Sequence, residues 1–274
     1  MSMTPKLRRS FLYVPPAHAA MLEDSRTIPA DLLCYDLEDS TPPDAKRPAR
    51  QAIADHLAAG RSRASEVLVR VNALDTEWGH EDLRFAATLA IDGVLLPKVE
   101  GDATVRQARA MLDGAGRSEM AIWCLIETPL GVLRVEQIAS GGVAGLVVGG
   151  MDLAEGLRAR AMPSRLPLWH ALSQIVLAAR AFGIAAIDAM TAGDADAAEE
   201  GCRQTRDLGF DGKSVFNRAG VAAVNRIFSP SEEEIAHART AIEGRGGYGG
   251  HVDHARRILA FADLVRATDA QEPQ

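Results

Sequence analysis

The sequence has few aromatic residues, few cysteines and no hydrophobic stretch long enough to cross a bilayer. Phe, Trp and Tyr make up 5% of the 274 residues, so the core must be largely aliphatic. Cys34, Cys124 and Cys202 are odd in number and lack Cys-x-x-Cys spacing, which favours buried reduced thiols over a disulfide or a zinc site. No apolar signal segment follows Met1, and we therefore expect a cytoplasmic protein with no membrane partner.

Positive charge is also scarce. The formal net charge is -7, the isoelectric point is about 5.5, and no polybasic run occurs. These values exclude a general affinity for nucleic acid or for anionic membranes. None of the histidines lies at a predicted strand end beside a candidate metal-binding acid, which disfavours an imidazole-ligated zinc or iron centre.

Short apolar runs alternate with helical segments along the chain. Their continuity is typical of strands that are buried on both faces. The predicted strands are Arg8–Pro15, Asp31–Ser40, Val67–Asn72, Gly93–Lys98, Ala121–Glu127, Ala144–Gly149, Gly183–Asp188 and Phe210–Asn217. Repeated strand-then-helix units without a linker predict a (β/α)₈ TIM barrel. An open doubly wound sheet is the competing fold, but no Gly-x-Gly-x-x-Gly follows the first strand.

The barrel is predicted to span residues 1–228, followed by a C-terminal helical extension at residues 229–274. Ser229-Pro230-Ser231-Glu232 matches a capping box with Pro at the first helical position and predicts a helix to about Glu243. The glycine-rich stretch Gly244–Asp253 predicts a lid or an exchanged tail. The next helix, Ala255–Arg266, is predicted to be able to contact a neighbouring subunit.

Two predicted strands deliver a carboxylate at their ends. Glu127 closes the fifth strand, and Asp152 follows the sixth across Gly149-Gly150. The ends of neighbouring parallel strands meet at one rim, and hard divalent cations prefer oxygen ligands, so the pair predicts a Mg²⁺ site. The alternative is that Glu127 and Asp152 cap the helices that follow them.

Further charged residues are predicted at or near the same rim: Asp36, Glu38, Asp39, Arg70, Lys98 and Asp188. An arginine such as Arg70 can bind a carboxylate by two parallel hydrogen bonds. Glu38 and Asp39 are expected either to order water around the metal, to accept a proton, or to cap the next helix. Lys213 is predicted to precede its strand and to lie on the stability face, which disfavours a Schiff-base mechanism.

Segments in most of the strand units share their order and spacing with a known family. They are Arg9–Pro15, Asp36–Ser40, Arg70–Asn72, Pro97-Lys98, Ile126–Thr128, Gly150–Ala154 and Gly209–Lys213. Over roughly residues 8–240 the chain resembles the citrate lyase β-subunit-like branch of the HpcH/HpaI aldolase superfamily. The resemblance implies a TIM-type barrel, usually trimeric or hexameric, that uses Mg²⁺ to cleave or form a carbon–carbon bond in 3-hydroxy-dicarboxylyl thioesters such as malyl-, citramalyl- or citryl-CoA.

The resemblance also implies roles for individual residues. The metal ligands of the family fall on Glu127 and Asp152, and its substrate-binding arginine falls on Arg70. Tyr13 and Pro15 match a segment on the thioester-binding side, although packing within a strand explains them equally well.

Two positions near the end of the chain bear on the site. Asp253 resembles an aspartate that some relatives contribute from the tail to a neighbouring active site as an acid or base, and a helix cap is the alternative. Where the family usually has Ile-His-Pro, this chain has Val215-Phe216-Asn217. Loss of that His and Pro predicts a different loop and altered CoA binding or substrate choice.

Three functional hypotheses therefore remain open. The first is a Mg²⁺-dependent lyase acting on an acyl-CoA. The second is a metal-dependent aldolase acting on a free 2-keto acid. The third is a non-catalytic subunit that works only within a lyase complex.

Overall fold

Eight parallel strands form a closed barrel in sequential order. The computed structural model describes residues 6–160, 162, 164–191, 193–244 and 252–270. The strands are β1 (Ser10–Val14), β2 (Leu32–Asp36), β3 (Glu66–Arg70), β4 (Gly93–Leu96), β5 (Ala121–Ile126), β6 (Gly145–Val148), β7 (Ala185–Asp188) and β8 (Gly212–Val215). Each strand pairs with the next, and β8 pairs with β1. The predicted (β/α)₈ TIM barrel is confirmed.

The apolar runs are continuous because both faces of each strand are buried. Alternate side chains form two clusters: one fills the barrel and includes Phe11 and Trp123, and the other packs under the helices and includes Leu12. The Trp123 ring lies over Gly145 of the next strand, where an added Cβ would be 2.4 Å from ring atom Cζ3. A few large rings therefore fill an interior that is otherwise aliphatic.

Helices cover the outside of the barrel. They are α1 (Ala19–Asp24), α2 (Lys46–Ala58), α3 (Gly79–Thr88), α4 (Asp102–Gly114), α5 (Pro129–Leu133), α6 (Val135–Ala139), α7 (Gly150–Gly156), α8 (Trp169–Phe182), α9 (Ala195–Leu208), α10 (Arg218–Phe228), α11 (Glu232–Ile242) and α12 (Val252–Asp269). Helix α10 is an addition to the predicted elements. Its buried residues Val221, Val224 and Phe228 have helical spacing, and the helix packs against β1 and β8.

The capping box of α11 lies later in the chain than predicted. Ser231 is the N-cap: its Oγ accepts a hydrogen bond from the Glu234 N–H (3.2 Å), and Glu234 Oε2 accepts one from the Ser231 N–H (2.7 Å). Ser229 instead ends α10, where its hydroxyl donates to Asn225 O and accepts from Arg9 Nη1. The prediction was wrong because Ser-Pro-Ser-Glu-Glu-Glu offers both registers, and only tertiary contacts choose between them.

The C-terminal helices lie at the amino-terminal end of the barrel. α11 packs against α12, and α12 lines a cavity there with Arg8 and Asp211, which precede β1 and β8. The boundary between residues 228 and 229 stays a prediction, and most of the glycine-rich stretch, including residues 245–251, lies outside the described residues. Within the described part of the chain, no helix combines the length and apolarity that a bilayer span requires.

The contact between Gly145 and Trp123 gives a test of barrel packing. We expect Gly145→Ala to lower the free energy of unfolding by about 1–3 kcal/mol, because the new methyl group overlaps a fully buried ring. Urea denaturation followed by tryptophan fluorescence measures the change. Gly114→Ala is the matched control, since a Cβ there meets no atom within 4 Å. Equal losses in the two variants would contradict the packing account.

Candidate active site

A cavity of about 360 Å³ opens between the carboxyl-terminal ends of the strands. In this architecture the loops at these ends build the active site. The charged residues in its lining are Asp36, Asp39, Arg70, Glu127 and Asp152, and its apolar lining includes Tyr13, Met190 and Phe216. Glu38 and Lys98 contact this group of charges. The structure therefore brings together most of the residues predicted for the site.

Arg70, the last residue of β3, is buried and bound by acids from the end of β2. Its Nε and Nη2 donate to Oδ1 and Oδ2 of Asp36, both at 2.6 Å. Its Nη1 lies 2.9 Å from Glu38 Oε2 and 3.6 Å from Asp39 Oδ2. The pair of parallel hydrogen bonds predicted for a substrate thus goes to Asp36. A substrate carboxylate would have to use the remaining N–H groups of the two terminal nitrogens.

The acids around Arg70 differ in their affinity for protons. Burial alone would raise the pKa of Asp36, but hydrogen bonds and charge from Arg70 hold that pKa below its usual value. For Glu38, burial dominates and raises the pKa, with the charge of Arg70 offsetting only part of the rise. Glu38 therefore takes up a proton more readily than Asp36 does.

Lys98, just past β4, connects two of the site acids. Its backbone adopts φ of 52°, a left-handed conformation that is uncommon for a residue with a side chain. In this conformation its N–H donates to Glu127 Oε1 (2.8 Å), and its Nζ lies 3.4 Å from Glu38 Oε1. Burial would lower the pKa of Lys98, but Glu38 and the other acids raise it. A lysine kept protonated in this way is poorly suited to Schiff-base formation, and the absence of a Schiff-base mechanism stays a prediction.

Glu127 directly follows β5 and is buried against the glycine pair that follows β6. An added Cβ at Gly149 would lie 2.4 Å from Glu127 Oε2, so this close approach requires glycine. Asp152 lies in the first turn of α7, half-buried in the same cavity. Burial raises the pKa of Glu127 to about 8; the charges of Glu38 and Asp152 add to the rise, and the Lys98 N–H opposes it.

Neither Glu127 nor Asp152 serves as the N-cap of a helix. Thr128 caps α5, because its Oγ1 accepts a hydrogen bond from the Gly131 N–H (3.0 Å). The N-cap of α7 is Gly149. The capping alternative for these two acids is therefore wrong. The next turn after Glu38 and Asp39 likewise begins at Pro42 without a side-chain cap, and these acids face Arg70 instead.

The donor set fits Mg²⁺ better than a metal that needs a protein cage. Mg²⁺ is commonly held by one or two carboxylates, with water and substrate completing its coordination. Glu127 is a buried carboxylate whose raised pKa shows that its negative charge is poorly compensated, and a cation would supply the missing charge. Among the described residues, no group of three or more His, Cys, Asp or Glu side chains is arranged to hold a metal ion.

A buried lysine that was not predicted supports the loop carrying Glu38. Lys46 Nζ donates to Leu37 O (2.7 Å), Glu38 O (2.9 Å) and Asn72 Oδ1 (2.8 Å). Asn72 in turn is held by the buried Asp82, which accepts from its backbone N–H (3.0 Å) and its side-chain amide (2.5 Å). All three ammonium protons thus fix uncharged oxygens around the acidic loop. The sequence gives no signal for this role, because most helical lysines are exposed.

Lys213 and Asp188 lie in the layer between the barrel and its surrounding helices, on the same face of the sheet as Val215. Lys213 is part of β8 and 2% exposed, and its Nζ contacts Asp188. Arg165 binds the same carboxylate, with Nη2 2.6 Å from Oδ1. Burial would raise the pKa of Asp188, but these two cations hold it below its usual value. The predicted placement of Lys213 before its strand was wrong: Lys213 is the second residue of β8, and its side chain is buried under the helices, where Asp188 neutralises it.

Of the remaining predicted residues, Tyr13 borders the site and Asp253 lies far from it. The guanidinium carbon of Arg70 is 5.1 Å from the centroid of the Tyr13 ring. Pro15, just past β1, lies outside the cavity lining. Asp253 is exposed in the first turn of α12, pairs with Arg256 (3.1 Å), and lies at the opposite end of the barrel. Its contribution to a neighbouring subunit's site stays a prediction.

Several known proteins resemble this chain. Residues 9–218 match the family model of HpcH/HpaI aldolase/citrate lyase. The chain is 35% identical over 280 residues to a (3S)-malyl-CoA thioesterase of Cereibacter sphaeroides, covering 94% of this chain and 96% of the relative. It is 33% identical over 288 residues to the citrate lyase subunit beta of Escherichia coli, covering 94% of each. A crystal structure of CitE from Mycobacterium tuberculosis with magnesium, acetoacetate and coenzyme A matches with a TM-score of 0.77 and 26% identity, over 93% of this chain and 98% of that one.

The ion group around Asp188 predicts a pH-dependent contribution to stability. Asp188→Asn leaves Lys213 and Arg165 buried without a carboxylate, so we expect the free energy of unfolding to fall by about 3–5 kcal/mol at pH 7. Because the folded-state pKa lies below the usual 3.8, this contribution is complete above that value and is lost as the pH falls through the folded-state pKa. Chemical denaturation between pH 3 and 8 measures the difference between the two proteins. The exposed Asp207→Asn is the control, and a difference that grows on acidification would refute the assignment.

Proposed function

The chain belongs to the HpcH/HpaI aldolase/citrate lyase family, and we propose from this membership that it is a Mg²⁺-dependent carbon–carbon lyase. Its proposed substrate is a 3-hydroxy-dicarboxylyl-CoA such as malyl-, citramalyl- or citryl-CoA. The bond between the hydroxyl-bearing carbon and the α-carbon of the thioester breaks, giving a 2-keto acid and an acyl-CoA. The observation that carries the proposal is the convergence of Glu127 and Asp152 on one cavity beside Arg70.

Glu127 and Asp152 are the proposed ligands of Mg²⁺. The metal, when bound, supplies Lewis-acid chemistry at substrate oxygens. Glu127 offers a carboxylate fixed by the Lys98 N–H and by contact with Gly149. Asp152 reaches the same cavity from a half-buried position.

Arg70 is the proposed anchor for the substrate carboxylate. Asp36 holds the guanidinium by its Nε and Nη2, so its orientation is fixed before substrate arrives. The N–H groups that Asp36 does not use can meet the substrate. Preorganised donors of this kind bind a carboxylate with little loss of side-chain freedom.

Glu38, with Asp39 beside it, is the proposed proton acceptor. Loss of the hydroxyl proton to the carboxylate lets the electron pair of the breaking carbon–carbon bond pass to the thioester as an enolate. Lys98, held protonated near Glu38, places positive charge close to the developing anion. The same proton then returns to the α-carbon, so no proton is gained or lost overall. Asp253 of a neighbouring copy is the alternative acid if the chain forms a trimer or hexamer.

Hydrolysis of the thioester is the second candidate function. The similarity to a malyl-CoA thioesterase over nearly the whole of both chains favours it. In that reaction water would attack the thioester carbonyl and the thiol of CoA would leave, with the carbon–carbon bond intact. The similarity to a citrate lyase subunit beta keeps a third candidate, a subunit that is active only in a complex.

The products formed from malyl-CoA separate these functions. With Mg²⁺ we expect the purified protein to release glyoxylate and acetyl-CoA, and EDTA to stop the reaction until Mg²⁺ is restored. Liquid chromatography of the CoA species with a keto-acid assay measures both products. Formation of malate and free CoA would contradict the lyase function and support thioester hydrolysis. Cleavage of free hydroxy-keto acids alone would indicate an aldolase, and no turnover of any substrate would favour the complex subunit.

Substitution of the proposed ligands tests the site itself. We expect Glu127→Gln, Asp152→Asn and Arg70→Ala each to lower kcat/KM at least about 100-fold, since metal sites lose 10–100-fold even from changes outside the ligands. Thermal unfolding should shift little in the two ligand variants. Glu155→Gln, an exposed acid on the same helix as Asp152, is the matched control and should keep full activity. Comparable melting losses with retained turnover would mean that these acids are structural.

A further inference from the structure

The lining of the candidate active site combines charged and apolar side chains. Several acids and Arg70 supply the charge, and Tyr13, Met151, Met190 and Phe216 supply apolar surface. Three of these apolar side chains are strongly exposed: Phe216 at 44%, Met190 at 42% and Met151 at 79%. Large apolar groups left exposed around a cavity mark a ligand-binding surface.

Neighbouring contacts fix the position of Phe216 in the cavity lining. It directly follows β8, and the next residue, Asn217, caps α10 by accepting a hydrogen bond from the Gly220 N–H (2.8 Å). The Phe216 ring stacks on the Tyr13 ring, with centroids 5.5 Å apart and planes 20° from parallel. Tyr13 in turn lies beside the Arg70 guanidinium. This aromatic pair therefore borders the group that is proposed to bind the substrate carboxylate.

Charge in the cavity limits what can lie against this pair. Among the described residues that line the cavity, Arg70 is the single cation, against the four acids Asp36, Asp39, Glu127 and Asp152. One substrate carboxylate has a partner in Arg70. A second carboxylate directed at Phe216 would be desolvated by an aromatic ring and a thioether, and the described lining holds no second cationic side chain to pair with it, which is unfavourable.

We propose that Phe216 determines specificity by receiving the substituent on the hydroxyl-bearing carbon of the substrate. The protein then favours substrates that carry hydrogen or a short alkyl group at that carbon over substrates that carry a carboxymethyl group there. This inference rests on the proposed lyase function and refines it: malyl- and citramalyl-CoA are accepted, and citryl-CoA is discriminated against.

Kinetics with three thioesters test the assignment. We expect the wild-type kcat/KM for citramalyl-CoA to exceed that for citryl-CoA at least about 10-fold, the lower limit of what one pocket contact discriminates. Phe216→Ala should lower kcat/KM for citramalyl-CoA, mainly through KM, and reduce the ratio toward one. Phe216→His should favour citryl-CoA relative to wild type. Phe182→Ala, which removes another exposed ring on α8, is the matched control.

Two outcomes would overturn the inference. One is a wild-type preference for citryl-CoA. The other is an equal loss of kcat/KM for all three substrates in Phe216→Ala, which would mean that the ring supports the site without contacting the substituent.

A binding experiment tests the inference separately from the proposed function. It applies if the wild type cleaves no thioester, which would contradict the proposed function. Calorimetry with Mg²⁺ should then show pyruvate binding about 10-fold tighter than oxaloacetate, with the difference lost in Phe216→Ala. Equal affinities in the wild type would refute it.

Discussion

The ion pair between Arg70 and Asp36 organises the charged rim of the barrel. Two hydrogen bonds of 2.6 Å fix the guanidinium, and the same carboxylate accepts the backbone N–H groups of Glu38 (2.9 Å) and Ser40 (3.2 Å). The loop after β2 thus folds around Asp36 and presents Glu38 to Arg70 and Lys98. Removing one partner of such a buried pair leaves the other charge uncompensated, so the arrangement is rigid as well as charged.

Within this rigid unit, acids of the same chemical type have different pKa values. Arg70 lowers the pKa of Asp36, whereas burial raises the pKa of Glu38 and brings that of Glu127 to about 8. Divergent pKa values among neighbouring carboxylates are typical of sites that bind cations and transfer protons. The environment of each acid therefore sets its affinity for protons, and chemically similar carboxylates in one cavity differ in this property.

Much of the fold was predictable because barrel strands have a simple local signature. Continuous apolar runs such as Leu95-Leu96 and Leu146–Val148 are compatible with burial on both faces, and a charged residue that ends such a run must emerge at the rim. That reasoning placed Glu127 and Asp152 in one cavity. Gly149 gave a further signal, since its close approach to Glu127 leaves no space for a Cβ.

The parts that sequence reasoning missed depend on long-range contacts. Lys46 is a buried support only through Leu37 O and Asn72. Lys213 is buried between the barrel and its helices only because Asp188 and Arg165 complete its ion group. The ion pair between Arg70 and Asp36 likewise has no local signature. The sequence around an arginine at a strand end is the same whether the arginine binds a substrate or another residue of the protein. Local patterns specify where a charge lies, and tertiary contacts specify what it binds.

Direct titration of the metal tests the central claim that Glu127 and Asp152 hold one cation between them. Mn²⁺, monitored by electron paramagnetic resonance as a substitute for Mg²⁺, reports binding without requiring turnover. The account predicts a single ion per wild-type chain, affinity at least about 10-fold weaker in Glu127→Gln and in Asp152→Asn, and unchanged affinity in Glu155→Gln. Wild-type affinity in both ligand variants would contradict it.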